Sequence, residues 1–561
     1  MLKFITKAVL NMKAKKGREV AQQLEEMLDD PMKHNKEMLF RLMTENADTE
    51  IGKKYGYQEI KTVEDFQNKV PYTTYDDYER YIHRMLKGEK NLISAADVYH
   101  YAATSGSVDN PKKIPVVKHA YDIFADYSLN YAMYMAHKHC GTAWEKTRGL
   151  NLAEIKFSEY YNGVSYGSIS GKAIEHYKSL LNVLFVSPTL ATFPTVIMDL
   201  KYIHLRFALM EHDLSFIAAA FMNTPLDLFR YLEAHWQMIT DDIINGTIDP
   251  SVKIPKEERE ILLKSIKPDK RRGSQLQAEF QKGFDTPIVP RIWKKFAWLG
   301  AIGGGGFSVY TDKIRQYLGD VPIYFSVYGA SEGLMAAPNT LDSDEMLLIP
   351  GNIFFEFIPI TDDESSEEAA PLTLDQLEVG NVYEIVLTNL SGFVRYRIQD
   401  AIRVTGFYKK CPLIKFVYRL SQSINLAGEK TNDEALGWAV KETAKACGFE
   451  PVEYSAYADT DTFPAKYVIF IEGEQFKQGK DRQKIRDVME EKMAIANPSY
   501  GKKVAEKILA PLKIHLLQSE SFALYRDLMI MRGISGNQLK PVRLIDTIVR
   551  QKFFFSLIDT E

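Results

Sequence analysis

Leu299-Gly300-Ala301-Ile302-Gly303-Gly304-Gly305-Gly306 is a short apolar run that breaks into four glycines. A helical pattern follows to Leu318, and Pro322 to Val327 is again apolar. Strand, glycine loop, helix, strand is the pattern of a βαβ unit, which implies a parallel sheet with ligands at the carboxyl ends of its strands. The glycines let the backbone approach a flat ring or a carboxylate, or simply form a flexible strand-to-helix turn.

Working outward, the second strand runs into Tyr328-Gly329-Ala330-Ser331-Glu332-Gly333. After Gly333 the chain becomes β-rich. Strands are expected at Ile353 to Ile358, Val382 to Thr388, Val394 to Ile398, Ala401 to Thr405 and Ile414 to Tyr418. The acidic run Asp362 to Glu368 reads as a solvated loop. Upstream, the first hundred residues read as helical, with apolar spacing over Val20 to Leu28 and Met38 to Glu45 and a cap at Thr74. Val183 to Val186 is strand-like, whereas Pro225 to Ile239 places Leu226, Phe229, Leu232 and Trp236 on one helical face.

A boundary is expected after Arg419, giving domains of 1–419 and 420–561. Leu420-Ser421-Gln422-Ser423 is polar and aperiodic, and Thr431-Asn432-Asp433-Glu434 has the spacing of a capping box for a helix over Ala435 to Cys447. Strands near Tyr454 to Tyr457, Tyr467 to Ile471 and Ile514 to Leu517, with a helix over Asp481 to Ile495, make the second domain α+β.

Bulk composition excludes several classes. With 45% hydrophobic and 26% charged residues and a net charge of −4, nothing global recruits nucleic acid or an anionic membrane. The lysine-studded N-terminus reads as a basic amphipathic helix, and no run approaches the ~18–20 apolar residues of a membrane span. Cys140, Cys411 and Cys447 are too widely spaced for a disulfide framework, which fits a reducing cytoplasm. His137 and His139 do not share a helix face, so His-Lys-His-Cys is a poor zinc site. Trp144, Trp236, Phe157, Tyr160 and Tyr161 read as core or pocket wall.

Three segments carry chemistry. Thr104-Ser105-Gly106-Ser107 is a small hydroxyl-rich loop whose N–H groups can surround phosphate oxygens, although it is not a Walker loop. Tyr328 to Gly333 supplies an aromatic that can stack on adenine and, in Glu332, a carboxylate that can hold Mg²⁺ beside phosphates. Tyr396-Arg397-Ile398-Gln399-Asp400 ends on an aspartate that can accept from both ribose hydroxyls, with Arg397 and Arg403 flanking it. Gly533 to Pro541 adds Lys540 on a glycine-containing loop. Taken singly, these are a turn, a capping carboxylate, a surface ion pair and a solvated lysine.

Taken in order, from about residue 95 to the C-terminus, they resemble the auxin-responsive Gretchen Hagen family of acyl-acid amido synthetases, a branch of the adenylate-forming enzymes. Arg395 to Asp400, Val404 to Tyr408, Lys415 to Arg419 and Asn537-Gln538-Leu539-Lys540 carry the likeness. The resemblance implies an α/β fold, with a large N-terminal domain built from a β-barrel and two α/β subdomains, and a small mobile α+β C-terminal domain. It implies ATP and Mg²⁺, a small-molecule carboxylic acid and an amine, in this family an amino acid. Residue by residue, Thr104, Ser105, Gly106 and Ser107 match the phosphate loop. Gly304, Gly305, Tyr328, Gly329, Ala330 and Ser331 match the nucleotide wall. Glu332 matches the Mg²⁺ ligand, Asp400 the ribose aspartate, Arg419 the arginine before the hinge and Lys540 the catalytic lysine. Val108-Asp109-Asn110 departs from the usual loop, and Gln399 replaces the usual glycine, removing the freedom to adopt positive φ. A thiol ligase using coenzyme A and a non-catalytic nucleotide-binding scaffold are the alternatives. The acyl pocket is expected between the helices of 120–170 and 200–240 and the Gly303 loop; neither the acid nor the oligomeric state is specified.

Overall fold

Leu299 and Ala301 are buried on a parallel sheet ordered Leu150–Asn151, Phe216–Phe221, Trp298–Ile302, Ile323–Phe325. The glycine loop leaves its third strand and the helix Ser308–Leu318 returns across one face, as the βαβ reading requires. Asn223–Asn245 packs here through Leu226, Phe229 and Leu232, while Trp236 is half-buried. The computed structural model describes residues 2–103, 112–156, 158–304, 307–361, 364–365, 370–420, 423–424, 426–427, 429, 431–473, 482–534, 536, 539–545 and 547–559.

A second four-stranded sheet has the order Lys113–Val117, Val98–Ala103, Val164–Gly167, Glu159–Tyr161. The third sheet is antiparallel and eight-stranded. Its order runs Glu364–Ser365, Ile353–Thr361, Val382–Asn389, Tyr396–Tyr408, Cys411–Arg419, Met346–Leu348, Gly333–Pro338, Tyr328–Ala330. Leu2–Met27 and Pro31–Glu45 form the expected helical N-terminus, and Asp77 accepts the Thr74 N–H at 2.8 Å to start Tyr75–Leu86. No helix among the described residues is long and apolar enough to cross a membrane.

Beyond residue 423 a three-stranded sheet, Pro451–Asp459, Lys466–Gly473 and Lys513–Leu517, divides two small cores. Tyr467, Ile469 and Ile471 face Asp433–Cys447 and Arg482–Ala496, whereas Val468 and Phe470 face Ser521–Met531 and Ile548–Phe555. This is the two-residue side-chain period of a strand covered on both faces.

Four local expectations change. Val183 to Val186 is not a strand: Leu181–Leu184 is a helical turn, and Val186 N–H then bonds Gly149 O at 2.9 Å. Four apolar residues satisfy either geometry, and tertiary contacts choose. Ile398 and Ala401 are not separated by a turn, because one bulged strand, Tyr396–Tyr408, runs through both expected segments and leaves Val394 and Arg395 outside it. The cap of Asp433–Cys447 is Asn432, which accepts from Ala435 N–H at 2.8 Å, while Thr431 is buried against the Tyr467 hydroxyl at 2.8 Å. Tyr160 is 63% exposed rather than core, and Phe157 lies outside the described residues.

Candidate functional site

Asp400 and Arg419 stand opposite each other on adjacent antiparallel strands. That register places the Arg419 Nε 2.7 Å from Asp400 Oδ1, and the Tyr328 hydroxyl donates to Oδ2 at 2.8 Å. Asp400 is 2% exposed, so its carboxylate is held out of bulk water while Arg419 keeps partial solvent access. Burial opposes the Arg419 charge, but Asp400 outweighs it and drives the guanidinium pKa up. Burial, then Asp400, holds the Tyr328 hydroxyl well above its ordinary value, so it remains a donor. A carboxylate offers about four lone-pair sites, so two donors leave Asp400 able to accept from ribose.

The flanking arginines do not share this task. Arg397 makes a two-point contact with buried Glu384, at 2.9 and 2.7 Å, tying neighbouring strands together, and Arg403 faces solvent. The partner of Asp400 is instead the arginine nineteen positions on, which antiparallel pairing brings alongside.

Glu332 lies in the tight turn between Tyr328–Ala330 and Gly333–Pro338, not at a helix start. Asn389 donates to its carbonyl at 2.6 Å and Tyr396 to its Oε1 at 3.3 Å. The side chain is half-buried, and burial raises its pKa against the pull of Arg419 and Lys112. Among the described residues no three His, Cys, Asp or Glu side chains gather as a metal cage. A single turn carboxylate fits Mg²⁺ carried on nucleotide phosphates, since that ion keeps most of its waters.

Thr104, Ser105, Gly106 and Ser107 lie outside the described residues, as do Val108 to Asn110, Gly305, Asn537 and Gln538. The flanks of the 104–111 segment lie near this turn: Ser331 Oγ donates to Ala103 O at 3.3 Å, and the Lys112 charge acts on the Glu332 carboxyl. Gly303 O accepts from Thr311 at 3.0 Å, and Gly304 packs on the Asp344 side chain, whose carboxylate pairs with Lys415 at 2.7 Å. Gly329 and Ala330 build the strand between Tyr328 and the turn.

Lys540 enters from the C-terminal domain. Its Nζ is 5.8 Å from the ring centroid of Phe221, which stacks on Phe307 at 4.8 Å. The surrounding protein, then the Arg419 charge, lower its pKa, with Asp400 opposing. Lys540 as a whole residue is exposed, so solvent screens this effect. Tyr328, Asp400 and Arg419 are therefore joined by hydrogen bonds, and the Arg419 and Asp400 charges act on both Glu332 and Lys540. Sequence reasoning missed Asn389, Phe221 and Phe416, the last packed 5.8 Å from the Tyr328 ring, because pairings across strands leave no local pattern.

Models of the GH3 family match almost the whole chain: the N-terminal domain at residues 20–323, the central domain at 346–419 and the C-terminal domain at 434–548. The chain belongs to the GH3 family. The match begins at residue 20, well before residue 95, so the helices from there on are part of the GH3 fold. Similar proteins include indole-3-acetic acid-amido synthetase GH3.3 of Arabidopsis thaliana, 26% identical over 93% of this chain and 91% of that one. Another is indole-3-acetic acid-amido synthetase GH3.8 of Oryza sativa subsp. indica, 28% identical over 91% and 87%. The solved structure of GH3.15 acyl acid amido synthetase has the same fold, with a TM-score of 0.82 at 24% identity and 96% of each chain covered.

Against that GH3 background Gln399 is informative. It lacks the freedom of glycine yet adopts φ +63°, with its carbonyl accepting the Leu420 N–H at 2.7 Å. A left-handed non-glycine residue costs ~1–2 kcal/mol, and glycine gives back ~0.5–1 kcal/mol of that in chain entropy. Gln399→Gly is therefore expected to raise stability by about 0.5 kcal/mol in reversible denaturant unfolding. A clear loss would show that the glutamine side chain stabilises the turn.

Proposed function

We propose that this protein is an ATP-dependent acyl-acid amido synthetase, with residues 1–419 holding the ATP and acid sites and 420–561 forming the mobile domain. The observation that carries the reading is the hydrogen-bonded Tyr328–Asp400–Arg419 cluster, whose charges act on Glu332 and on Lys540, a residue from the other side of the boundary. Amido synthetase activity in similar proteins supports it.

In the first step a carboxylate oxygen of the acid attacks the α-phosphorus of ATP. The bond to the pyrophosphate oxygen breaks, and an acyl-adenylate forms. In the second, an amino acid nitrogen attacks the acyl carbon, loses a proton and expels AMP, leaving an amide. Asp400 would accept from the ribose hydroxyls, with Tyr328 and Phe416 beside the base. The 104–107 loop amides would wrap the phosphates. Lys540 would donate to the charge that develops between acid and α-phosphate, where a fixed cation is most effective. Glu332 would hold Mg²⁺, which when bound supplies further neutralisation of phosphate charge. Phe221 and Phe307 form an apolar wall suited to the body of the acid. A rotation about Leu420 would then withdraw Lys540 and admit the amine. A cytoplasmic location fits the three free cysteines.

The test is ATP–pyrophosphate exchange against a panel of carboxylic acids, with Glu332→Ala alongside. Exchange should require an acid and fall at least tenfold in the variant. Product analysis with amino acids and with coenzyme A then separates amide from thioester formation. Exchange with no acid, or thioester alone, would overturn the proposal.

A further inference from the structure

The helix Ser308–Leu318 begins where the glycine loop ends, and three of its side chains reach the C-terminal domain. Asp312 pairs with Lys441 at 2.6 Å, but both are exposed and such a pair contributes little. Lys313 donates to Pro451 O at 2.5 Å and lies 3.7 Å from Glu450. Tyr310 differs from both, being 4% exposed. Its hydroxyl donates to the Glu453 carboxylate and accepts from Arg543 at 2.5 Å.

Arg543 also holds Glu453 directly, donates to Tyr454 O at 3.0 Å and stands 3.6 Å from Asp433. Those contacts lie wholly within the C-terminal domain. The Arg543–Glu453 pair is therefore satisfied without Tyr310, whose hydroxyl adds a link across the boundary. Arg543 follows Lys540 by three residues. On the other side of Lys540, Lys156 donates to Gly533 O and Arg526 pairs with Glu154 at 3.1 Å. The lysine loop is thus suspended between two anchors on the N-terminal domain.

We propose that Tyr310 is a positioning residue for Lys540: its hydroxyl docks the Arg543–Glu453 pair on the helix that follows the glycine loop, and so fixes the Lys540 ammonium during adenylate formation. The inference rests on the proposed synthetase reading. Losing one anchor lets the loop pivot, and small misplacements of a catalytic group are costly. Tyr310→Phe keeps the ring against Phe307, 6.1 Å away, and removes only the hydroxyl.

The variant should lower the kcat of ATP–pyrophosphate exchange by about tenfold to a hundredfold, as expected for a lost bond to charged groups. The KM for ATP should stay within about twofold, since the hydroxyl is bonded to Glu453 and Arg543 and is assigned no nucleotide contact in the proposed site. In a Lys540→Ala background it should cost nothing more, because a group acting through Lys540 has nothing left to position. An undiminished kcat, or an equal further loss without Lys540, would overturn the proposal. Hydrogen exchange reads docking without turnover: amides of 539–545 should exchange faster in Tyr310→Phe while Lys466–Gly473 is unchanged. Unaltered protection at 539–545 would overturn the docking role even if no acid supported exchange in the unsubstituted protein, a result that would by itself sink only the synthetase reading.

Discussion

Replacing Lys540 with alanine is expected to lower acid-dependent ATP–pyrophosphate exchange by ~10²–10³-fold while leaving ATP affinity nearly unchanged, the signature of a donor used in the transition state. Lys540 lies between contacts to the N-terminal domain at Gly533 and Arg543, its Nζ 5.8 Å from the Phe221 ring centroid and within the fields of Arg419 and Asp400. The nucleotide base and ribose would be held by other groups, so the ground state loses little. The charge forming as carboxylate and phosphate meet loses its nearest mobile cation. The pH profile gives a second readout. The surrounding protein, then Arg419, lower the Lys540 pKa, and in the proposed role the protonated form is the active one. Exchange should therefore fall as pH rises through a pKa below the ordinary lysine value of ~10.4. Lys540→Arg, whose guanidinium stays protonated, should lose that alkaline limb in whatever activity it retains. Undiminished exchange in Lys540→Ala would remove the lysine from the chemistry.

Why Lys540 was legible in the sequence and Tyr310 was not is a matter of where the determining contacts lie. The βαβ unit around Gly303, the strand-rich middle and the C-terminal α+β segment announce themselves through period and turn residues within a few positions. Asp400 and Lys540 stood out as motif members, although their local sequence says little about their partners. Arg397 and Arg403 looked like the natural companions of Asp400 because they are near in the chain. The bulged strand turns one to Glu384 and the other to solvent, and antiparallel register supplies Arg419 instead. Likewise Gln399 reads as a departure that forbids positive φ, yet the Leu420 N–H and the surrounding strands impose it. Tyr310 meets Glu453 and Arg543 across 143 and 233 positions of chain, and no periodicity reports such a contact.

Asp400 separates folding from binding in a way no other site residue does, and its two substitutions should behave differently. Asp400→Ala removes the acceptor for both Arg419 and Tyr328 from a site that is 2% exposed. Breaking a buried pair costs ~3–5 kcal/mol, and because Arg419 keeps partial solvent access the loss should fall nearer ~2–3 kcal/mol. Thermal unfolding should register it as a lowered Tm with or without ATP. Asp400→Asn preserves shape and an oxygen for Arg419, so most of the stability should remain. It replaces the second acceptor by an amide N–H₂ group, which cannot accept a ribose hydroxyl proton. ATP affinity measured calorimetrically should then weaken by about tenfold to a hundredfold, the size of one charge-assisted hydrogen bond. Equal affinity in Asp400→Asn would make the carboxylate purely structural, an internal counter-ion for Arg419. A binding loss confined to the alanine variant would say the same, because only collapse of the pair, not loss of acceptance, would then matter to the nucleotide.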